Sequence, residues 1–183
     1  ERFGEVTKRD VLLRELEIVQ TAKEGVGDCW PLVAHPQPVN LKLDDEQRKA
    51  LEGLLASTNL VSIFRGGAGT GKSFVLHELV GQLRLAGRPV AVLAPQRQQV
   101  VDMEKAGFPS PATVASFLTK GELPERAVVV VDEAGQLGGR QMLALLRLAK
   151  ERNARVVLSG DTRQHGAVEA SDALLAIERH AGV

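Results

Sequence analysis

The chain has 183 residues, 44% of them hydrophobic and 25% charged, a size that suits one domain with a short appendage and a composition that excludes a disordered or fibrous protein. Twenty-three basic residues balance twenty-three acidic ones, and aromatics amount to 3% with no Tyr, so neither a broad basic face nor rows of stacking rings can hold nucleic acid, which leaves a local positive groove. Cys29 is the one cysteine, which excludes an intrachain disulfide and a multi-cysteine metal site, and no apolar run approaches the roughly 18 residues that cross a bilayer.

Residues 1–25 carry a helical pattern, with apolar Val11, Leu12, Leu16, Ile18 and Val19 set among charges and Thr7 or Asp10 available as a cap. From Gly25 to Asn40 the run of Gly25, Gly27, Pro31, Pro36 and Pro38 breaks regular structure and reads as a linker, with Cys29 and Trp30 expected to anchor it. The expected division is therefore a helical segment and linker over 1–40 and a larger domain over 41–183. That larger part opens on Leu43-Asp44-Asp45-Glu46-Gln47, an acidic first turn suited to a helix dipole. Short apolar strands then alternate with amphipathic helices. Strands are expected at 60–64, 89–94, 127–131 and 155–159, and helices at 72–85, 96–105, 139–151 and 171–180. Apolar strands separated by helices imply an α/β fold, a parallel sheet covered on both faces, with ligands beyond the carboxyl ends of the strands.

The first strand runs into Gly66-Gly67-Ala68-Gly69-Thr70-Gly71-Lys72-Ser73, which fits GxxxxGK[ST]. Glycines let backbone amides turn inward around phosphate oxygens, Lys72 supplies a cation to the β and γ phosphates, and Ser73 offers a hydroxyl to Mg²⁺. Gly67 to Ser73 are thus the expected ATP-binding residues. The third long strand ends in Asp132-Glu133. A carboxylate at a buried strand tip suits hydrated Mg²⁺, the role expected of Asp132. The adjacent Glu133 can orient and deprotonate a water, which favours hydrolysis over transfer to a bound hydroxyl. The fourth strand ends in Ser159-Gly160-Asp161-Thr162-Arg163-Gln164-His165, where the Gln164 amide is suited to sensing a γ phosphate without changing charge.

Together these residues resemble the first RecA-like domain of a superfamily 1 helicase of the RecD/TraI branch, over about residues 41–183. Gly66 to Ser73 is similar to motif I, Val128 to Gln136 to motif II, and Gly160 to Gln164 to motif III. Leu43 to Gln47 resembles the Q motif, which implies that Gln47 recognises the adenine edge. Ala94-Pro95-Gln96 resembles motif Ia, and Ala112 to Leu118 the DNA-contacting run after it. The wording from Ser159 to Leu174 is most similar to the helicase part of conjugative relaxases of the TrwC/TraI kind. The resemblance implies a RecA-like P-loop fold, ATP and Mg²⁺ as cofactors, and single-stranded DNA held by Pro95, Gln96, Arg97, Thr113, Ser116 and His165. It also implies a second RecA-like domain in the same parent chain, whose arginines complete the ATP site, and hence slow hydrolysis by this part alone. Phe117 and Leu118 are expected in the core.

Because the first residue is Glu, the expectation is a piece of a longer protein; the single cysteine suits a reducing, cytoplasmic setting, and the short apolar runs imply no membrane insertion. The other readings are a recruitment module bound by the coupling protein of a type IV secretion machinery, and a small-molecule P-loop kinase. The first has no need of a P-loop and paired carboxylates. The second has no use for Gln47, Glu133 and Gln164 together.

Overall fold

The computed structural model describes residues 2–66, 69–161 and 171–181, with the side chains of 2–7 and 171–172 left aside. In chain order the elements are α1 (Arg2–Glu24), α2 (Asp45–Ala56), β1 (Val61–Arg65), α3 (Lys72–Leu85), β2 (Val90–Ala94), α4 (Arg97–Lys105), β3 (Ala112–Thr113), α5 (Val114–Lys120), β4 (Val128–Val131), a 3-10 turn at Ala134–Gln136, α6 (Gly139–Glu151), β5 (Arg155–Gly160) and α7 (Ser171–His180). Five parallel strands form one sheet in the order β1-β5-β4-β2-β3. This is the α/β, RecA-like P-loop architecture expected from the sequence.

Strand composition dictates the layering. β4 is four consecutive valines and β5 reads Arg-Val-Val-Leu-Ser-Gly, buried throughout. A strand with no polar alternation has no face it can turn to water, so helices must cover both sides. Side chains alternate across the sheet. Val129, Val131, Val156 and Leu158 join one core with Ile18, Met142, Leu145 and Ile177 from α1, α6 and α7. Val128, Val130 and Val157 join the opposite core with Leu51, Leu76 and Leu79 from α2 and α3. Among the described residues, no helix is long and apolar enough to cross a membrane.

Several local expectations are revised. β3 and α5 lie in a stretch with no expected element, because two strand residues and seven helical ones are too few to show a period. α1 packs on α6 and α7, burying Ile18 and Ala22, while Leu12 and Leu16, read from the sequence as part of its apolar set, are 55% and 58% exposed. The helix is also tied by a fork in which Arg147 Nε and Nη2 each donate to Glu17 at 2.7 Å. Phe117 and Leu118 do pack against the core.

The linker is anchored by an arginine rather than by the Trp30 ring, which is 85% exposed. Arg155, 4% exposed at the start of β5, donates to the carbonyls of Asn59 at 2.6 Å, Ser57 at 2.7 Å and Trp30. Burial pulls its pKa below the usual arginine value; nearby Cys29 opposes that shift and Arg88 adds to it. Arg88 makes a second tie, donating to the carbonyls of Leu32 and Arg126. Replacing Arg155 with Met strips buried carbonyls of a charged donor, and the expected loss is about 2–4 kcal/mol of unfolding free energy. Urea unfolding of the wild type and the Arg155→Met variant checks this, and equal midpoints would contradict it.

Candidate nucleotide-binding and hydrolysis site

β1 delivers the chain at its carboxyl end into the glycine-rich loop, and α3 begins at Lys72 with no side chain capping it and no acid in its first turn. Uncapped amides at a helix start and the dipole behind them favour an anion. Gly71 holds φ 73°, a left-handed backbone that favours glycine, and a Cβ there would push aside the Gln47 amide, coming within 2.2 Å of its Nε2. Gly67 and Ala68 lie outside the described residues. Gly69 and Thr70 complete the turn, and Ser73 is exposed on the first turn of α3.

Sheet order brings the other half of the site. β5 separates β1 from β4, so the tips of all three face one cleft. The Asp132 backbone N–H donates to the Leu93 carbonyl at 2.9 Å, continuing the ladder with β2 beyond the end of β4. Glu133 then takes a left-handed conformation, φ 51° and ψ 38°, and caps the 3-10 turn. Such a backbone is uncommon for a residue with a Cβ and persists where the surroundings over-determine it. Here the Glu133 N–H donates to Asp132 Oδ1 at 2.9 Å. Gly160 lets the β5 tip approach this turn closely, for a Cβ there would lie 3.3 Å from the amide nitrogens of Ala134 and Gly135.

The P-loop and strand-tip residues meet directly. Lys72 Nζ lies 3.0 Å from Asp132 Oδ1 and 2.9 Å from Glu133 Oε1, with the three side chains 11%, 15% and 30% exposed. Burial alone would lower the Lys72 pKa, but the hydrogen bond to Glu133 and the charge of Asp132 outweigh it and the net shift is upward. The ammonium therefore stays charged at any physiological pH.

Gln47 is held on both ends of its amide. Oε1 accepts from the Asp44 N–H at 3.0 Å within the capping box of α2, and Nε2 donates to the Thr70 carbonyl at 3.1 Å. The residue that the resemblance assigns to the adenine edge thus lies against the loop. The β2 to α4 joint, Pro95, Gln96 and Arg97, lies beside Thr113 because Ala94 pairs in register with Thr113. The Thr113 hydroxyl accepts from the Ser116 N–H at 3.2 Å, and the Ser116 hydroxyl donates back to the Thr113 carbonyl at 3.1 Å, so both serve as the cap of α5. Gln164 and His165 lie outside the described residues. His77 packs edge-on against Phe108, and among the described residues no cluster of three or more His, Cys, Asp or Glu is placed to hold a metal.

The upward shift of Lys72 carries a pH signature. When a folded-state pKa exceeds the unfolded one, the stabilisation is complete below the unfolded value and is lost as pH rises through the folded value. The stability advantage of the wild type over Lys72→Met should therefore hold up to pH 10.5, the ordinary lysine value, and shrink above it. Denaturant unfolding across that range checks this; an advantage already shrinking well below 10.5 would contradict it.

Residues 42–183 match the AAA domain family. Over 179 residues the chain is 31% identical to the ATP-dependent RecD2 DNA helicase of Deinococcus radiodurans, covering 93% of this chain and 24% of that protein. It is 28% identical over 168 residues to the multifunctional conjugation protein TraI of Escherichia coli, covering 84% and 10% of the two. It is also 28% identical over 146 residues to the probable conjugal transfer protein TraA of Sinorhizobium fredii, covering 77% and 13%. The chain spans between a tenth and a quarter of the length of these curated relatives. With a P-loop and a strand-tip acid pair facing each other across β5, the chain belongs to the AAA domain family, as a helicase domain of the RecD/TraI type of superfamily 1.

Proposed function

We propose that this chain binds and hydrolyses ATP as the first RecA-like motor domain, over residues 41–183, of a 5′-to-3′ DNA helicase, in a conjugative relaxase, and couples that hydrolysis to movement on single-stranded DNA. The observation that carries the reading is the Lys72 ammonium bridging Asp132 and Glu133. A cation held by two carboxylates at a P-loop stands where phosphate charge has to be met, and a triphosphate with Mg²⁺ supplies the replacement partners for all three groups.

The amides of residues 67 to 73 would surround the phosphates, and Lys72 would transfer from the acid pair to the β and γ oxygens. Ser73 and Asp132 offer hard oxygen donors on the same cleft, as Lys72, next to Ser73, reaches Asp132 at 3.0 Å. That pairing fits Mg²⁺, which keeps most of its waters and takes one or two protein oxygens. When bound, Mg²⁺ would neutralise charge developing between the β and γ phosphates. Glu133, released from Lys72, would accept a proton from the attacking water. Gln164 would report the γ phosphate. Reading adenine with Gln47 requires that its amide exchange the Thr70 carbonyl for the base, which couples adenine binding to the shape of the loop.

The DNA strand would cross the sheet's carboxyl edge over Pro95, Gln96 and Arg97, with His165 from the β5 loop. Exposed Arg97 can reach phosphates, whereas Gln96 would have to give up its bond to Gln136, and Thr113 and Ser116 their cap, to contribute. A second RecA-like domain would supply arginines that complete the site, a contribution worth about 10³–10⁵ in rate for such residues.

ATPase measurement on the full-length protein with Lys72→Ala and Glu133→Gln tests this. Both should lose about 10²–10⁴ in DNA-stimulated turnover. Glu133→Gln should still bind ATP, and Lys72→Ala should bind it much more weakly. Unchanged turnover in either variant would end the reading.

A further inference from the structure

Three glutamine amides meet where α4 faces the 3-10 turn. The Gln96 backbone N–H donates to Gln99 Oε1 at 2.9 Å. A backbone N–H can only donate, so the orientation of the Gln99 amide is fixed: its oxygen faces the α4 start and its nitrogen faces Gln136. Gln99 Nε2 accordingly donates to Gln136 Oε1 at 2.9 Å, and Gln96 Nε2 donates to the same oxygen at 3.0 Å. One carbonyl oxygen of Gln136 has both lone pairs engaged by the start of α4.

Gln136 ends the turn that Glu133 begins, and its backbone N–H donates to the Glu133 carbonyl at 3.0 Å. On its other side the turn lies close against β5, where a Cβ on Gly160 would come within 3.3 Å of the Ala134 and Gly135 amide nitrogens, and α7 packs there as well. With β5 and α7 packed against one side of the turn and two amides tethering the other, a change in the tether acts on the turn and so on Glu133, which caps it.

We propose that Gln136 is a positioning residue that couples occupancy of the DNA strand at the start of α4 to the placement of Glu133. The inference rests on the DNA-motor reading above. A phosphate that takes the exposed Gln96 amide withdraws one of the two donors from Gln136, and Gln99 alone then holds the turn. The resting position of the Glu133 carboxylate thus differs between the DNA-free and DNA-bound protein. The side chains of Gln99 and Gln136 bond to neither carboxylate of the acid pair, and neither residue is placed at a nucleotide phosphate.

The test measures ATPase of the full-length protein with and without an oligo(dT) strand, together with the Kd for a fluorescent oligo(dT) and the KM for ATP. Gln136→Leu, which removes the acceptor, and Gln99→Leu, which cuts the same tether from α4, should each reduce the stimulation by DNA about fivefold or more. The DNA-free rate, the KM and the Kd should stay within about threefold. Gln136→Glu keeps an acceptor for both amides and should restore at least about half of the stimulation. Full stimulation in either leucine variant overturns the proposal, as does a Gln136→Glu variant no better than Gln136→Leu. A loss of DNA affinity in proportion to the lost stimulation also overturns it, since Gln136 would then be a DNA contact. Wild type that shows no DNA stimulation removes the motor reading itself and the coupling with it; a stimulated wild type matched by Gln136→Leu removes the coupling alone.

Discussion

A half-buried ammonium between two carboxylates organises this molecule. Lys72 stands at the start of α3, and Asp132 and Glu133 stand at the end of β4, 60 and 61 positions later in the chain. Their meeting requires that β1 and β4 end at the same edge of the sheet with one strand between them. It also requires that each hydrophobic layer hold those strands rigidly enough to keep a salt bridge near 3 Å. In water such a pair is worth little; in a cleft that excludes part of the solvent, the charges must be balanced or exchanged for others. The ion triad is thus both a structural closure and a charge pattern complementary to a nucleotide with its metal.

The valines that make this possible contribute nothing chemical. In β4, alternate valines pack into opposite cores, and β5 repeats the arrangement with Val156, Val157 and Leu158. With both faces committed, a one-residue slip in register would swap every contact between the layers. The polar chemistry is confined to the residues immediately past the strands, where the ladder gives out: Asp132, Glu133 and the Gly160-Asp161 step. Glycine at 160 allows the backbone of β5 and the 3-10 turn that Glu133 caps to lie close together.

What could be read from the residues alone follows the same division. The P-loop was legible because inward amides and a left-handed Gly71 impose glycine at fixed spacing, and the acid pair because a four-valine strand ending in two carboxylates has few other uses. The α/β class was legible from strands with no polar face. The glutamine cluster was not, because Gln99 and Gln136 become neighbours through the β2-β4 pairing, and strand order leaves no local mark on either residue. Thr113 and Ser116 read as donors to DNA and serve in the structure as a helix cap; a hydroxyl at a helix start suits either use. In α1, apolar residues at 11, 12, 13, 16, 18 and 22 span more than one face, and packing on α6 and α7 selects Ile18 and Ala22 while leaving Leu12 and Leu16 in water. Trp30 misled for a related reason: its carbonyl, which any residue has, is the anchor for Arg155.

The most direct measurement is a crystal structure of the protein with a non-hydrolysable ATP analogue and Mg²⁺. The account predicts triphosphate in the loop, Lys72 Nζ transferred from Glu133 to the phosphate oxygens, and the Asp132 carboxylate turned to the metal. A nucleotide bound elsewhere, or Lys72 still bridging the two acids beside a filled loop, would contradict it.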